Sequence, residues 1–462
     1  LDQVFDLFVR LDAPDDILDF PVVYTSARDG YAKVTADGEQ TDMTPVCELI
    51  VDTVPPPAGD RQAPLQMQVS TIDYSPYLGR LGIGHIANGS LRTNDDIALA
   101  GLDGALTPVR VTRIYSFVGN QKQEVDEAHA GEIVAVAGMD ELTVGVTLTD
   151  IDQPAPLPPI RIDPPTVAMS FIANDSPFAG DEGQFVRSNQ LIERLHEEAL
   201  GDIALTVTDL KEAAGCRVAG RGQLYLSILI EKMRREGYEF QVTRPQVILR
   251  EDEHGHKLEP YEDVTVDVAE EYMGRVIEKL GSRRGRMLEM TTGMDQARLL
   301  FRIPTRGLLG YRAEFLSDTR GTGVMSSLFA EYGPYAGDVS QRPTGAMIAS
   351  ARCTAVAYAL FNLQNRGTLF IGPQTDVYEG QVIGECARND DLTVNPAKGK
   401  KLTNSRAAGS DEEIILTPPR RMTIEDCITY INDDELVELT PKSIRLRKRH
   451  LTENARKRHK NR

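Results

Sequence analysis

The chain has 462 residues, 41% of them hydrophobic, and a formal net charge of -18. This length suggests about three domains, each able to bury its own core. No run of about 18 apolar residues is present and no charged-then-apolar leader opens the chain, so we expect neither a membrane span nor export. The five cysteines are scattered and form no C-x-x-C pair. We therefore expect reduced thiols, no disulfide framework, no zinc site and a soluble cytoplasmic protein.

The charge is distributed unevenly along the chain. Residues 1–50 hold eleven acids against three bases, a net charge of -8, whereas residues 441–462 carry a net charge of +9. A second basic run, residues 395–410, contains four cations and no acid. An acidic body with two basic segments indicates a protein that touches a polyanion at chosen points. For the tail taken alone, the alternative interpretation is equally good: its charges are solvated and bind no partner.

The first residues carry a helical pattern, because Val4, Leu7, Phe8 and Leu11 fall on one face. Residues 20–25 are predicted to form a buried strand, followed by Ser26 and Ala27 in a loop. These elements are too few to make a domain. Either they pack on the rest of the protein, or they are the end of an α/β domain whose earlier part is missing.

Residues 65–146 contain short alternating or apolar runs separated by Gly or by turn pairs such as Asn88-Gly89. This spacing predicts a small closed β-barrel. The glycine-rich stretch GRLGIGHIANG precedes no helix and is therefore assigned to barrel turns rather than to a dinucleotide site. The following stretch, residues 151–166, has six prolines and is predicted to be a stiff linker.

Two similar units follow the linker. Each has the predicted order strand, helix, strand, strand, helix, strand, which is the split βαβ arrangement of a ferredoxin-like module. In the first unit Ser188 is predicted to open a helix and Gly237 to close one, while Gly220 and Gly222 mark a tight strand-to-helix turn. In the second unit the apolar face of the first helix consists of Met273, Val276, Ile277 and Leu280.

The last region is predicted to be β-rich with one or two helices. Residues 367–385 are typical of a hairpin with Gly-containing turns, and Thr423 with Asp426 fits a helix capping box. Residues 395–410 offer too little apolar surface to offset the entropy cost of ordering, so we expect them to be mobile in the free protein and ordered by a partner.

Four long motifs in different regions resemble the TypA/BipA family of ribosome-associated translational GTPases. They are GRGQLYLSILIEKMRREGYEFQVTRPQVI, RIPTRGLLGYRAEFLSDTRGTGVM, GKKLTNSRAAGSDEE and DDELVELTPKSIRLRKRHLTE. The resemblance runs essentially from end to end. It departs from the family pattern at Gln223 and Tyr225, where the family typically has an acid and a histidine.

The resemblance implies a multidomain α+β protein with six segments. They are the end of a GTPase domain (1–46), a β-barrel (47–151), a Pro-rich linker (152–166), two ferredoxin-like modules similar to those of elongation factor G (167–248 and 249–333), and a family-specific C-terminal domain (334–462). Ser26 and Ala27 would then touch the guanine of a bound nucleotide. GTP and Mg²⁺ are the cofactors implied for the full-length family.

We expect no cofactor for this chain and no GTP binding or hydrolysis by it. The sequence contains no G-x-x-x-x-G-K-[ST] loop and no Asn-Lys dipeptide, and its D-x-x-G matches at residues 252–255 and 318–321 stand alone. His254 and His256 could supply two metal ligands but lie in a polar turn, and a plain loop is favoured. Glu197 and Glu198 are expected to be solvated on a helix, so no catalytic residue is assigned.

The resemblance gives the basic segments an RNA-binding role. The C-terminal loop is implied to reach the acceptor end of transfer RNA in the ribosomal A site, and the tail would add affinity independent of sequence. The alternate apolar residues Ile444 and Leu446 predict that the tail begins as a strand. The candidate RNA contacts are Lys398, Lys400, Lys401, Asn404, Arg406, Arg445, Arg447, Lys448, Arg449, Arg456, Lys457 and Arg458.

Two functions are consistent with the sequence. The first is the ribosome-binding part of a translational GTPase that acts in translation or in large-subunit assembly, under stress. The second is an RNA chaperone or assembly factor that needs no nucleotide. The expected partners are the ribosome, as the 70S particle or the 50S subunit, its 23S ribosomal RNA and A-site transfer RNA. No membrane contact is expected, and the protein is predicted to be a monomer.

Overall fold

The computed structural model describes residues 1–11, 13–40, 42–75, 77–119, 121–139, 142–160, 162–211, 213–293, 296–337, 342, 344–399 and 415–460. The chain folds as two compact units. The first comprises Leu1–Ser70, Gly82–Met139 and Gly145–Pro159, and the second comprises Thr71–Leu81, Asp140–Val144 and Ile160–Arg462. Within the described ranges, no helix is both long enough and apolar enough to cross a bilayer.

The first region contains short elements. They are helices α1 (Asp2–Arg10), α2 (Asp15–Leu18) and α3 (Thr44–Thr53) and strands β1 (Tyr24–Ser26) and β2 (Tyr31–Lys33). The predicted N-terminal helix is confirmed as α1, and Phe8 packs edge-on against Phe20 with ring centroids 5.7 Å apart. The predicted buried strand at residues 20–25 is wrong. β1 is shorter and pairs with β2 in a narrow ribbon, which leaves Tyr24 and Thr25 exposed because such a ribbon has no second layer to bury it.

The next region is all-β, as predicted. Its strands are β3 (Gln66–Ser75), β4 (Gly79–Asn88), β5 (Ser90–Arg92), β6 (Asp96–Ala100), β7 (Leu106–Arg110), β8 (Arg113–Val118), β9 (Gln121–Val125), β10 (Glu127–His129), β11 (Ile133–Ala137) and β12 (Thr147–Thr149). The main sheet has the order β7-β6-β12-β3-β4-β11-β8-β9, and β10 pairs with β5 separately. In the described residues this path is open, so the predicted closure into a barrel is wrong. The end strands β7 and β9 are mostly exposed and, unlike the members of a closed barrel, do not hydrogen-bond to each other.

The proline-rich stretch after β12 contains no helix or strand in its described part. It runs beside β12 and β3, where side chains satisfy its backbone. The Thr149 hydroxyl accepts from the Ala155 amide at 2.9 Å, and the Gln66 amide group donates to the Ala155 carbonyl at 2.7 Å. Proline removes backbone donors, so side-chain contacts of this kind replace a ladder.

The first ferredoxin-like module is confirmed. Its elements are β13 (Val167–Ala173), α4 (Ser188–Gly201), β14 (Thr206–Asp209), β15 (Gly215–Gly220), α5 (Gln223–Arg235), β16 (Phe240–Val242) and β17 (Gln246–Val247). The strand order β14-β15-β13-β16 places the first and third strands of the motif side by side in the middle, as the split βαβ topology requires. α4 begins at Ser188 as predicted, and Gly237 follows α5 with a left-handed φ of 97°.

The second module repeats this topology in a sheet of its own. Its elements are β18 (Arg250–Glu251), β19 (Lys257–Ala269), α6 (Glu270–Ser282), β20 (Arg286–Thr292), β21 (Gln296–Pro304), α7 (Thr305–Leu308), α8 (Tyr311–Asp318) and β22 (Val324–Pro334). The order β20-β21-β19 continues through pairing of β22 with β19. Val276 and Leu280 of α6 are buried in the core of this module, with Met273 and Ile277 packed against it, which confirms the predicted face.

The C-terminal region is β-rich, as predicted. Its elements are β23 (Ala346–Ala349), β24 (Cys353–Thr354), α9 (Ala357–Leu363), β25 (Gly367–Leu369), β26 (Asp376–Val377), β27 (Gln381–Cys386), β28 (Leu392–Val394), α10 (Ile424–Tyr430), β29 (Glu435–Leu439), β30 (Ile444–Lys448) and α11 (Glu453–Lys460). β25 pairs antiparallel with β27, and the Thr423 hydroxyl accepts from the Asp426 amide, so both the hairpin and the capping box are confirmed.

The first module and the C-terminal region share one sheet. β16 pairs antiparallel with β29, so that Phe240 faces Leu439 and Val242 faces Val437. The combined order is β14-β15-β13-β16-β29-β30-β27-β23-β28. The strands of both regions also contribute to one buried core, together with helices α4, α5 and α10. The C-terminal region is therefore held in a fixed position on the first module, although the second module lies between them in sequence.

Candidate nucleic-acid interface

The basic segment 395–410 starts from an anchored base. Val394 ends β28 and is buried, and the carbonyl of the following Pro396 accepts from the Val356 amide at 2.9 Å. Asn395 then forms a turn in which its side-chain oxygen accepts from the Ala397 amide at 2.9 Å. Lys398 lies just after this turn and is exposed. The candidate contacts Lys400, Lys401, Asn404 and Arg406 lie outside the described residues.

The chain is anchored again where the described residues resume. The side chain of Gln364 donates to the Ile415 carbonyl at 3.3 Å and accepts from the Thr417 amide at 3.0 Å. Leu416 packs against the apolar cluster around α9 and β25. Both ends of the segment are therefore fixed to the same part of the C-terminal region.

Helix α11 brings the basic tail next to the base of this segment. The Arg456 guanidinium donates to the Thr393 hydroxyl at 3.5 Å and to the carbonyls of His450 and Leu451. Thr393 lies in β28, directly before the turn that leads to Lys398. On the same helix Lys457 is exposed and pairs with Glu453 at 2.6 Å, and Arg458 is exposed. The fold thus places helix α11 of the basic tail beside the strand that leads into segment 395–410.

Lys448 of the predicted tail contacts has a structural role. Its side chain is 2% exposed, and its Nζ lies 2.7 Å from Asp391, 2.8 Å from Asp434 and 2.9 Å from Glu435. Burial disfavours the charged form, but the three carboxylates outweigh it and raise the pKa of Lys448 above its ordinary value. Lys448 was predicted as a free cation for RNA, and this part of the prediction is corrected.

Arg445 and Arg447 are also held inside the protein. Arg445 donates to Glu438 at 3.0 Å and pairs with Glu182, whereas Arg447, which is 2% exposed, donates to Asp175 at 2.6 Å. Glu182 and Asp175, the two acceptors that belong to the first module, lie in the loop after β13. These arginines therefore fasten the tail strand β30 to the first module, and they too were wrongly predicted as free cations. Arg449, one residue past β30, is exposed.

A cross-strand charge pattern in the sequence could have revealed two of these partners, Glu435 and Glu438. β29 and β30 form a hairpin in which Glu435 faces Lys448 and Glu438 faces Arg445. Opposite charges at facing positions of neighbouring strands stabilise their pairing. The basic tail strand follows an acidic strand at hairpin spacing, so its charge is neutralised within the fold.

Glu438 is the centre of a buried polar network between the first module and the C-terminal region. It is fully buried and accepts hydrogen bonds from Ser176 at 3.0 Å and from the Tyr378 hydroxyl at 2.5 Å. Asn174 donates to both Glu438 and Glu239. Burial and the Glu438 carboxylate raise the pKa of Tyr378 far above its ordinary value. The network satisfies the polar groups that this interface buries.

The two family departures at Gln223 and Tyr225 have local partners. The Gln223 amide donates to the Thr429 hydroxyl of α10 at 2.7 Å, and the Tyr225 hydroxyl donates to Asp202 at 2.6 Å. The Tyr225 ring packs closely against the backbone of Gly220. A side chain at this position would clash, because its Cβ would lie 2.6 Å from the ring. Gln223 therefore contributes to the contact between the first module and the C-terminal region.

Ser26 and Ala27 lie at the end of β1 and in the turn that follows. The Ser26 hydroxyl donates to Asp29 at 2.8 Å and accepts from the Asp29 amide at 3.3 Å. This pair offers nothing that could hold the phosphates of a nucleotide or a magnesium ion. We derive no step of nucleotide chemistry from these two residues.

Other candidate chemical groups have structural explanations. His256 pairs with Asp252 at 3.0 Å within its turn, and Glu198, expected to be solvated, pairs with Arg194 and Lys232. His196, Asp209 and Cys216 were not singled out from the sequence, yet their ligand atoms all lie within 4.8 Å of one another. Burial and the adjacent Asp209 raise the pKa of the Cys216 thiol to about 12, and His196 pairs with the same Asp209 at 2.8 Å.

Comparison with known proteins adds three matched segments. Residues 344–453 match the TypA/BipA C-terminal domain, residues 256–343 match the elongation factor G C-terminus, and residues 79–149 match elongation factor Tu domain 2. In the order given, these three matched segments correspond to the C-terminal region, the second module and the all-β region of the structure.

Full-length comparisons agree with these segments. The chain is 48% identical to the large ribosomal subunit assembly factor BipA of Escherichia coli K12 and to that of Salmonella typhimurium LT2, in each case over 99% of this chain and 76% of the relative. It is also 48% identical to the BipA of Synechocystis, over 97% of this chain and 75% of the relative. The chain therefore belongs to the TypA/BipA family.

Proposed function

We propose that this chain is the ribosome-binding portion of a translational GTPase that assists assembly of the large ribosomal subunit. Relatives that share 48% of its sequence are named large ribosomal subunit assembly factors. The observation that carries the proposal is the contact between Arg456 of the basic tail and Thr393, which lies just before the basic segment 395–410. Ribosomal RNA is the polyanion that such a surface fits.

The proposed contact surface consists of the basic loop and the exposed cations beside it. Lys398 at the loop base and Arg449, Lys457 and Arg458 of the tail are exposed. Lys400, Lys401, Asn404 and Arg406 are proposed as further contacts to 23S ribosomal RNA or to the acceptor end of A-site transfer RNA. Arg445, Arg447 and Lys448 are left out of this surface because their charges are used within the fold.

The proposed mechanism is docking rather than bond-making. The joined sheet fixes the C-terminal region on the first module, so that Lys398 and α11 are carried by a common support. Lysine and arginine would neutralise phosphates and release counterions, which gives an affinity that falls with salt. GTP and Mg²⁺ are proposed only for the full-length family. The site of action proposed is the cytoplasm, with one copy of the chain on each particle.

The test is co-sedimentation of the chain with 70S particles and with isolated large and small subunits. We expect binding to particles that contain the large subunit, and weaker binding by Lys398→Ala/Lys400→Ala/Lys401→Ala. The matched control is Lys257→Ala/Arg312→Ala, which removes exposed cations of the second module. Binding that needs added GTP would contradict docking by this chain, and equal losses for both variants would contradict the loop assignment.

A further inference from the structure

The joined sheet has a second face on the side opposite helices α4 and α5, where Gln241, Leu436 and Arg447 are almost fully buried. Phe171, Val242 and Val437 are adjacent across β13, β16 and β29 and point into the common core. Because side chains alternate along a strand, Ile172 and Gln241 lie on the other face, where they are direct cross-strand neighbours. Leu436 and Arg447, which face each other in β29 and β30, continue this face into the C-terminal region.

This face contains a cleft of about 520 Å³. The volume is within the range of about 300–1,000 Å³ that is typical of small-molecule sites in proteins. Its apolar lining includes Ile172, Leu210 and Ala213, and its polar lining includes Ser170 and Thr243; Leu436 and Gln241 also line it but are almost fully buried. Since β13 and β16 belong to the first module and β29 to the C-terminal region, the cleft exists only where the two are joined.

Exposed cations lie around the cleft. Lys211 and Arg449 line it, and both are exposed. Arg217 is also exposed and is the cross-strand neighbour of Ser170. The cleft therefore concentrates positive charge on a chain whose net charge is -18.

Asp175, the carboxylate that lines the cleft, is paired with a cation of the protein itself. Asp175 accepts from the Arg447 guanidinium at 2.6 Å and from the Gln241 amide at 3.0 Å. Burial opposes ionisation, but these partners outweigh it and hold the pKa of Asp175 below its ordinary value. Asp434 pairs with Lys448. It lies on the other side of Arg449, in a separate hollow that Asp433 also lines. Arg447 also donates to the Arg449 carbonyl at 3.3 Å, which fixes the backbone of that cation.

We propose that this cleft binds one nucleotide of single-stranded RNA. Lys211 and Arg449 would hold the phosphates, and the base would lie against the half-buried Ile172 and Leu210. The Thr243 hydroxyl accepts from the Ser170 amide at 2.9 Å, so its own proton is available for a base edge. Cations that follow the backbone beside a flat surface for the base are the features that single-stranded nucleic acid requires. This proposal rests on the proposed function, because the ligand would be a single-stranded part of ribosomal RNA.

The test uses the whole chain and a short fluorescein-labelled single-stranded RNA. We expect Lys211→Ala/Arg449→Ala to weaken binding roughly tenfold at moderate salt, because two phosphate contacts are lost. The control pair Lys257→Ala/Arg312→Ala lies in the second module, and we expect it to change binding less than about twofold. Equal losses for the two pairs would overturn the proposal. Binding of an acidic peptide but not of the RNA would also overturn it.

A second measurement locates the RNA without any substitution. RNA carrying 4-thiouridine is crosslinked to the wild-type chain, and the modified peptides are identified by mass spectrometry. We expect crosslinks in peptides that contain β13, β16 or β29, and crosslinks confined to the basic loop and the tail would overturn the proposal. Co-sedimentation with large subunits is measured in parallel. If the wild type sediments with them but gives no cleft crosslink, the cleft assignment fails while the proposed function stands.

Discussion

Glu435 and Lys448 face each other across β29 and β30, with their charged atoms 2.9 Å apart and both side chains almost fully excluded from solvent. Arg342 donates to the same carboxylate at 3.0 and 3.1 Å. A charge in the basic tail is therefore part of the protein's interior. This relationship separates cations that hold the fold from cations that are available to a partner.

Replacing Lys448 with Met should destabilise the C-terminal region. Its removal leaves Arg342 as the remaining cation on the buried Glu435, so the loss should fall below the value of about 3–5 kcal/mol that is typical of a buried charge left with no partner. Urea denaturation followed by circular dichroism measures the effect as a lower midpoint. The control is Lys457→Met on α11, whose side chain is 70% exposed and whose loss should shift the midpoint little. Equal midpoints for the two variants would contradict the structural role of Lys448.

Replacing Tyr378 with Phe should destabilise the junction between the first module and the C-terminal region. The substitution removes the hydroxyl that donates to Glu438 at 2.5 Å. A buried acceptor left without its donor typically costs about 1–3 kcal/mol. Thermal unfolding measures the effect, and Tyr77→Phe, at a side chain 95% exposed, is the control. An unchanged melting temperature in Tyr378→Phe would show that the network does not support the junction.

Replacing Gly310 with Ala should disturb the packing of the second module on α10. Gly310 has a left-handed φ of 75°, and a Cβ there would lie 2.1 Å from the Thr429 methyl group. The clash should lower the melting temperature, and Thr429→Ser in the same chain should restore part of it by removing the methyl group while keeping the hydroxyl for Gln223. If Thr429→Ser restores none of the lost melting temperature, the clash is contradicted. The left-handed backbone at position 310 would then be the cause of the loss.

The junction should lose stability in acid. Burial works against ionisation of Asp391, but hydrogen bonds from Lys448 and the Ala346 amide outweigh it and hold its pKa below the ordinary value of 3.8. The pKa of Glu182, bound to Arg445, is likewise below its ordinary 4.5. A carboxylate whose pKa is lower in the folded state stabilises the fold fully above its unfolded pKa and loses this contribution as pH falls through the folded value.

Melting temperatures measured between about pH 6 and pH 3 test this expectation. They should stay level until about pH 4.5 and then fall, since the unfolded carboxylates begin to take up protons there. Asp391→Asn removes one titrating group and should start from a lower melting temperature but fall less steeply. Parallel curves for the variant and the wild type would exclude Asp391 as a contributor.

The sequence predicted the parts of the fold that depend on local patterns. The periodicity of Met273, Val276, Ile277 and Leu280 identified a helix face, and Thr423 with Asp426 identified a helix start. Residues 20–25 were predicted wrongly because an apolar run alone does not tell whether a second layer exists to bury it. The open path of the all-β sheet depends on which edge strands meet, and strand patterns carry no such information.

The candidate site was less predictable because charge in a sequence does not reveal its partners. Arg445 and Arg447 belong to a basic run, yet their partners Glu182 and Asp175 lie more than 250 positions earlier in the chain. The shared sheet brings the arginines and their carboxylate partners together through the pairing of β16 with β29. The sequences of β16 and β29 contain no pattern that predicts this pairing. Lys398 and Arg458 were predicted as RNA contacts by the same reasoning; both are exposed, and the RNA contact stays a prediction.

The central claim is that exposed cations of the C-terminal region bind ribosomal RNA on the large subunit. Co-sedimentation with isolated large subunits over a series of salt concentrations tests it most directly, with the wild type compared to Lys398→Ala/Lys400→Ala/Lys401→Ala. The account predicts that wild-type affinity falls steeply with salt and that the variant binds more weakly with a shallower salt dependence. Binding by the variant that matches the wild type at every salt concentration would contradict the claim.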